Sequence, residues 1–312
     1  DPYFNIAAEE YFLKHFNDGI FMLWINEPSV IIGKHQNVFA EINHRYIHTN
    51  KIPVVRRISG GGTVYHDRGN LNYTIIQNGQ PGKLVDYHKY TKPILQSLER
   101  LGIHAYLDKK SSLFINGLKI SGNAEHVFKN RVMHHGTLLF STNLENLQTA
   151  IRVKDSTYQD KAIKSVRSQV TNISEHIRNQ MNIEEFRIYL NGFMKDYFQS
   201  TMERKLNNDD IYEIEQRVKN KYSHWEWNYG YSPSFKKSFK IKIEGMIEEL
   251  DLFVNNGKIQ DIHFGKNKTA VILELAAILK HKRYHPNEIR NSMNSVKFAD
   301  YIDPEQFIQE IF

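Results

Sequence analysis

The chain has 312 residues, a formal charge of +6, no cysteine, and 40% hydrophobic against 24% charged residues, an ordinary balance for a soluble globular protein. That length supports a sizeable buried core and more than one domain, and 17 tyrosines with 18 phenylalanines argue against disorder. Without cysteine there is no disulfide framework, no thiolate nucleophile and no cysteine-bound zinc.

No apolar run reaches the roughly eighteen residues of a membrane span. The opening DPYFNIAAEE has no basic leader followed by an apolar core, so no secretion signal is expected. A chain opening at Asp1 reads as continuing something upstream, and the cysteine usage fits a cytoplasmic protein. The positive excess steers an acidic partner toward the surface, although many proteins carry such an excess to no special end.

Residues 5–16, NIAAEEYFLKHF, read as a helix with Asn5 as its N-cap. Short buried strands follow at 21–25 and 30–33, separated by a turn at Asn26 to Ser29. KIPVVRRI is a further strand, with Pro53 marking its beginning or an edge, and LNYTII at 71–76 is predicted to answer it. A helix near 86–101 carries the stripe Ile94, Leu95, Leu98 and Leu101. In SLFINGLKIS, 112–121, Asn116-Gly117 between two apolar runs is the strongest hairpin signal, because both residues tolerate positive φ.

VMHHGTLLF at 132–140 predicts another strand, and 184–198 and 209–221 predict helices. SHWEWNYGYSPSF, 223–235, reads as a junction. Beyond it FKIKI and IEELDLFV predict antiparallel strands, followed by a turn at Asn255-Asn256-Gly257 and the strand KIQDIHF. A helix at 269–281 and a short one after Pro286 complete the pattern. The expected division is a larger domain, 1–235, and a smaller one, 236–312, of about 75 residues, near the lower end of independent stability.

The chemistry gathers in VVRRISGGGTVYHDRGN, 54–70. Three consecutive glycines leave peptide N–H groups uncovered by any Cβ, and such a nest holds an anion or passes close beneath a ligand. Arg56 and Arg57 point to opposite faces of a strand, so only one readily reaches the cradle, and Arg57 is nearer the turn. A tight strand connection with solvated arginines explains the same residues. Neither GxGxxG nor GxxxxGK followed by Ser or Thr is present. On the hairpin, strand alternation puts Leu118 and Ile120 on one side and Lys119 and Ser121 on the other. Lys119 is then a cation on rigid scaffold beside a second glycine-bearing polar stretch, SGNA, although strand lysines commonly serve only solubility.

Taken together, these motifs resemble the lipoate-protein ligases. The family pattern RRxSGGGxVxHDxGN is met at every specified position by Arg56-Arg57-Ile58-Ser59-Gly60-Gly61-Gly62-Thr63-Val64-Tyr65-His66-Asp67-Arg68-Gly69-Asn70. KxSGxA is met by Lys119-Ile120-Ser121-Gly122-Asn123-Ala124, and Lys161 to Ile173 is close to GIKSVRSxVTNL. HHGTLL at His134 to Leu139 and the opening DPYFNIAAEEYF also agree. The resemblance covers roughly residues 1 to 235 in order.

It implies an α+β fold: a mixed-sheet catalytic domain of the biotin/lipoate ligase type with a small C-terminal α+β accessory domain. It also implies activation of lipoate or octanoate by ATP to lipoyl-AMP, with magnesium accompanying the nucleotide. The acyl group then passes to a lysine of a 2-oxoacid dehydrogenase lipoyl domain or of the glycine-cleavage H protein, by a monomeric enzyme. Lys119 takes the essential catalytic position. Arg57, Ser59, Gly60, Gly61, Gly62 and His66 line the lipoate and phosphate end. His66 is read there as ordering the site, not as a general base. Val64, Tyr65, Asp67, Asn70, Ser121, Gly122, Asn123, Ala124, Lys161 and Lys164 fall to the nucleotide, with Arg167 a weaker case. No metal-ligand cluster is visible, so metal ligands stay unassigned.

One departure stands out. Where many of these ligases carry Gly-Arg-Asn-Asp before the hairpin, this chain has Lys109-Lys110-Ser111-Ser112 and lacks the family carboxylate. A non-catalytic lipoyl-carrier-binding protein is therefore the alternative. An acyl transferase working through a thioester has no thiol available here. Biotin-protein ligase lacks its glycine-arginine signature. Nucleic-acid binding calls for a dense basic stripe with interleaved aromatics, and the residues from Lys219 to Lys242 that hint at one straddle a junction.

Overall fold

The computed structural model describes the whole chain apart from residues 81, 152–157, 200–201, 244, 265–269 and 295–301. It forms two compact units. The first comprises Asp1–Lys34, Ile52–Ile151 and Ser165–His224; the second comprises His35–Lys51, Arg152–Lys164 and Trp225–Phe312. Composition along the sequence suggested a cut at 235, whereas two short early segments pack with the C-terminal unit.

The first unit opens with helix Pro2–His15. Its N-cap is Asp1, not the expected Asn5: the Asp1 carboxylate accepts from the backbone N–H of Tyr3 at 2.8 Å and of Phe4 at 3.1 Å. Asn5 lies inside the helix, which leaves its side-chain amide free for another task. Among the described residues nine strands follow in this unit: β1 (Ile20–Trp24), β2 (Ser29–Ile32), β3 (Val54–Arg56), β4 (Val64–His66), β5 (Asn70–Asn78), β6 (Ala105–Leu107), β7 (Ser112–Ile115), β8 (Leu118–Phe128) and β9 (Arg131–Leu139). They make a six-stranded sheet in the order β1-β5-β9-β8-β7-β6 and a three-stranded sheet in the order β3-β2-β4.

Two expectations change here. β5 does not answer β3: it pairs antiparallel with β1 and β9, while β3 pairs parallel with β2. The glycine-rich segment between β3 and β4 closes no hairpin across its flanks, and the chain passes from the small sheet to the large one after β4. The second change is on the hairpin. Its turn is as predicted, with Asn116 at φ 49° and Gly117 at φ 81°. Yet Leu113 faces Ser121 while Phe114 faces Lys119, so Ile120 is an extra residue at a bulge. Strict alternation fails there, and Ile120 and Ser121 are both fully buried.

β5 is the spine of this unit, buried from Asn70 to Ile76. Leu71, Tyr73 and Ile75 share one apolar cluster with Ile94 and Leu98 of helix Tyr87–Arg100 and with Phe186 and Leu190 of helix Ile183–Tyr197. Burial of each such side chain stabilises by about 1.5–3 kcal/mol. Helix Asn208–Arg217 continues into a π-helical turn, Val218–Tyr222.

The second unit is built on an antiparallel sheet in the order β10 (Tyr158–Asp160), β11 (Phe235–Ile243), β12 (Met246–Asn255), β13 (Lys258–Phe264). Along β11, Phe239, Ile241 and Ile243 are buried while Lys240 and Lys242 face out. Helices Ala270–Leu279, Pro286–Asn294 and Pro304–Ile311 accompany it. Of the predicted helix at 269–281, Ala270–Leu279 is helical, and Thr269 lies outside the described residues. Among the described residues no helix is long and apolar enough to cross a membrane.

Candidate active site

After β3 the backbone turns out of the small sheet, tied to it by Arg57 N–H donating to the Ile32 carbonyl at 3.0 Å and Lys34 N–H donating to the Ser59 carbonyl at 2.8 Å. Gly61 then takes φ +86°, which L side chains rarely adopt. A Cβ there would lie 3.1 Å from Arg57 Nη2 and 3.7 Å from Ala124 Cβ, so the glycine bend rests directly against the SGNA stretch of β8.

The Arg57 guanidinium organises this bend from within. Nη2 donates to the carbonyls of Gly60 at 2.6 Å and Gly62 at 2.7 Å, Nη1 to that of Ile31 at 3.1 Å, and Nε to Ser59 Oγ at 2.9 Å. Burial pulls its pKa down to about 10, with Glu9 and Tyr87 opposing, so it remains a cation at neutral pH. Arg56 faces the other way, fully buried, and donates to the carbonyls of Gly33 and Lys34.

Behind the bend lies a buried relay. His135 Nδ1 is 2.8 Å from Glu9 Oε1, and Glu9 also accepts from Thr74 Oγ1 at 2.6 Å, itself a partner of Trp24 Nε1 at 3.0 Å. A carboxylate only accepts, so Nδ1 carries hydrogen, and in the neutral ring Nε2 accepts the Ser59 O–H at 2.7 Å. Ser59, His135 and Glu9 thus have the distances of a nucleophile triad. Ser59 is nevertheless fully buried, does not line the cavity described below, and already accepts from Arg57. It is a link that holds the bend, not a nucleophile. Glu9 was not singled out in the sequence; its only signal was a carboxylate on an otherwise apolar helix face.

Lys119 comes from the start of β8. Its N–H donates to the Gln169 carbonyl at 2.8 Å and its carbonyl accepts from Thr171 N–H at 3.1 Å, so segment 169–171 runs beside it as a parallel bridge. The ammonium lies over Gly122: a Cβ there would stand 3.5 Å from Lys119 Nζ and 3.8 Å from Val64 Cγ1. Burial lowers the Lys119 pKa, and Asp108 opposes that shift. Asp108 precedes the stretch that lacks the family acid. Its Oδ1 accepts from the backbone N–H groups of Lys110 at 2.9 Å, Ser111 at 2.7 Å and Ser112 at 2.7 Å. These bonds outweigh burial and hold its pKa low. The sequence offered a signal, an Asp three residues before a pair of serines at a turn, but not its proximity to Lys119.

The same 165–171 segment also grips the glycine bend, through Ser165 Oγ accepting from Thr63 N–H at 2.9 Å. The two glycine-bearing stretches thereby face one cavity, about 700 Å³ including its open mouth. Of the residues named from sequence, Arg57, Gly61, Gly62, Val64, His66, Lys119, Gly122, Asn123 and Ala124 line it. Ser111, Ser112, His135 and Thr137 add polar groups, and Ile6, Trp24, Ile31 and Val166 supply apolar wall.

Ser59, Gly60, Tyr65, Asp67, Asn70 and Ser121 are not in the lining. Asp67 accepts from Gly69 N–H at 2.9 Å and Asn143 N–H at 2.8 Å, and Asn70 donates to Asn72. Lys161 and Lys164 belong to the second unit. His66 is buried, and burial, then Arg57 and His135, pull its pKa down to about 3. No carboxylate lines the cavity, and among the described residues no group of three His, Asp or Glu is placed to hold a metal.

Residues 1–192 match the family described as the lipoyl protein ligase A/B catalytic domain. The full chain is 37% identical to the lipoate-protein ligase LplJ of Bacillus subtilis, spanning 97% of that protein. Over 83% of its length it is 40% identical to lipoate–protein ligase 1 of Staphylococcus aureus, covering 80% of it. In fold it resembles a bi-partite lipoate protein ligase from Thermoplasma acidophilum, with a TM-score of 0.65 at 24% identity over 74% of this chain and 92% of that one. The mixed-sheet architecture and the occupied motif positions agree with these likenesses, and the chain belongs to the lipoyl protein ligase A/B family.

Proposed function

We propose that this protein uses ATP to convert lipoate or octanoate into an acyl-adenylate and passes the acyl group to a lysine of a lipoyl domain or of the glycine-cleavage H protein. One observation carries the reading: the Lys119 ammonium and the Gly61–Gly62 bend share one cavity that also has an apolar wall.

In the first half-reaction a carboxylate oxygen forms a bond to the α-phosphorus, the bond to the bridging oxygen breaks, and pyrophosphate leaves. Two anionic groups must meet, so the barrier falls where positive charge is already fixed in place. Lys119 supplies that charge from a strand, and Arg57 holds the bend opposite. In the second half-reaction the acceptor amine bonds to the acyl carbon, AMP departs with the electrons of the broken C–O bond, and the amine loses a proton. Lys119 then stabilises the departing phosphate. Ile6, Trp24 and Ile31 form a slot suited to the acyl chain and its dithiolane.

Lys161 and Lys164 are assigned to the triphosphate on the motif alone, with 1–235 as the catalytic domain and 236–312 as its accessory. Magnesium enters as the counter-ion of the nucleotide, since the cavity lining offers it no carboxylate. The positive surface suits acidic carrier domains. The Thermoplasma relative is described together with its E2 lipoyl domain, which supports a carrier of that kind.

The test is pyrophosphate exchange into ATP with and without lipoate or octanoate, followed by acyl transfer to separate lipoyl domains and H protein. Exchange that needs the acid, then transfer, is the expected result. Carrier binding with no exchange would reject the ligase reading in favour of a non-catalytic binder.

A further inference from the structure

His66 reaches the cavity as one end of a chain of three side chains. Asn5 Nδ2 donates to the backbone carbonyl of Ile25 at 3.3 Å and to Asn26 Oδ1 at 2.8 Å. A carbonyl oxygen only accepts, so the Asn5 amide has one orientation, and Asn26 must present its oxygen to it. The Asn26 NH₂ then faces His66 Nδ1 at 3.0 Å. An NH₂ only donates here, so Nδ1 accepts and the ring proton is forced onto Nε2. Among the described residues Nε2 has no hydrogen-bond partner, although His66 and Asn26 are 2% and 1% exposed. A buried N–H without a partner forfeits the hydrogen bond it had in water, so such a group asks for an acceptor.

We propose that Asn5 and Asn26 are positioning residues that lock His66 into the Nε2–H tautomer, so that the ring offers the cavity a neutral donor to an oxygen of the substrate's acyl group. Neutrality follows from burial and from Arg57 and His135 nearby. A neutral donor binds the carboxylate of the free acid and the carbonyl of the mixed anhydride alike, and takes no proton from either. His66 is thereby unsuited to act as a base. Among the described residues its competing contact is Trp24, whose ring plane lies at 69° to the imidazole with centroids 5.6 Å apart.

The assignment of an acyl oxygen rests on the ligase reading; the tautomer lock does not. Asn26→Asp keeps the shape of the side chain but replaces the donor with an acceptor. It should draw the proton to Nδ1 and turn Nε2 into an acceptor. The experiment uses the full chain with ¹⁵N-labelled histidine, reads the two ring nitrogens of His66 by long-range ¹H–¹⁵N correlation, and measures lipoate affinity by calorimetry. His66→Asn assigns the signals and near-UV circular dichroism checks the fold.

Expected are a protonated Nε2 in the wild type, a protonated Nδ1 in Asn26→Asp, and roughly tenfold weaker lipoate binding in that variant, the size of one lost hydrogen bond. Asn5→Ala, one link further from the cavity, should give mixed tautomers and an intermediate affinity, and serves if Asn26→Asp does not fold. A wild-type ring protonated on Nδ1 overturns the lock. A reversed tautomer with unchanged affinity leaves the N–H to Trp24 and overturns the donor role. Absence of lipoate binding by the wild type, with the lock intact, overturns the acyl acceptor and the ligase reading together.

Discussion

Ser59 Oγ and His135 Nε2, 76 positions apart in sequence, meet at 2.7 Å in a buried contact. Through that bond the first helix, which carries Glu9, and strand β9, which carries His135, hold the glycine bend in place.

Ser59→Ala removes a group that both accepts from Arg57 Nε and bonds His135 Nε2, leaving two buried polar atoms unpaired. A loss of about 1–3 kcal/mol in unfolding free energy is expected, measured by urea denaturation. The bend should loosen, raising KM for lipoate more than it lowers kcat. Unchanged stability would show that the relay carries no weight in the folded state.

Lys119→Met should lower acyl-adenylate formation by roughly 10²-fold or more while the protein stays folded. The same variant makes a stability prediction with a definite sign. Burial lowers the Lys119 pKa below the ordinary lysine value of 10.5, so in that interval the folded state holds fewer protons than the unfolded one. Wild-type stability therefore gains from this group as pH rises toward 10.5 and bears the cost of a buried charge below it. Lys119→Met should be the more stable protein at pH 7, by a margin that shrinks at alkaline pH. Denaturation series at pH 7 and pH 10 check this, and a margin that grows with pH would contradict it.

Gly136→Ala tests how closely the cavity floor is packed. A Cβ at this position would stand 2.0 Å from Asn123 Oδ1 and 2.6 Å from Tyr73 Cε1, both parts of one buried hydrogen-bonded pair. Overpacking of this kind costs about 1–3 kcal/mol. Because Asn123 lines the cavity, ligand affinity should fall with stability. Calorimetry on the variant should show both losses; an intact affinity would place Asn123 outside the binding surface.

Acid should weaken the fold before its carboxylates protonate. Burial, then neighbouring cations, pulls His66 down to about 3 and His126 down to about 4, from an ordinary value of 6.5. The unfolded chain binds these protons first, so the stability they carry is complete above 6.5 and is lost as pH falls toward 4. Glu10 acts lower still. Burial pushes its carboxyl up, but hydrogen bonds from Lys14, Lys221 and Tyr222 outweigh that and hold it at about 2. Its contribution is intact down to about 4.5, the ordinary glutamate value. Scanning calorimetry should show Tm falling between pH 6.5 and 4.5 with proton uptake on unfolding. A flat Tm across that interval would count against it.

The resemblance to lipoate-protein ligases, more than local chemistry, marked the glycine bend and Lys119 as candidate ligand contacts; local chemistry was enough for the hairpin at Asn116-Gly117 and for the stripe of Ile94 and Leu98. The hairpin and the stripe depend on dihedral preference or periodicity within a dozen residues, which the order of amino acids carries by itself. Which strands pair, and what stands behind the bend, were decided only in three dimensions. β5 has apolar residues suited to many partners, and its choice of β1 and β9 over β3 comes from packing along its whole buried length. Glu9 next to His135, Asp108 beside Lys119, and Asn26 turned toward His66 are long-range or bend-dependent contacts between polar groups. No sequence period marks them, because a buried hydrogen bond is specified by the direction of two atoms in space and not by their distance along the chain.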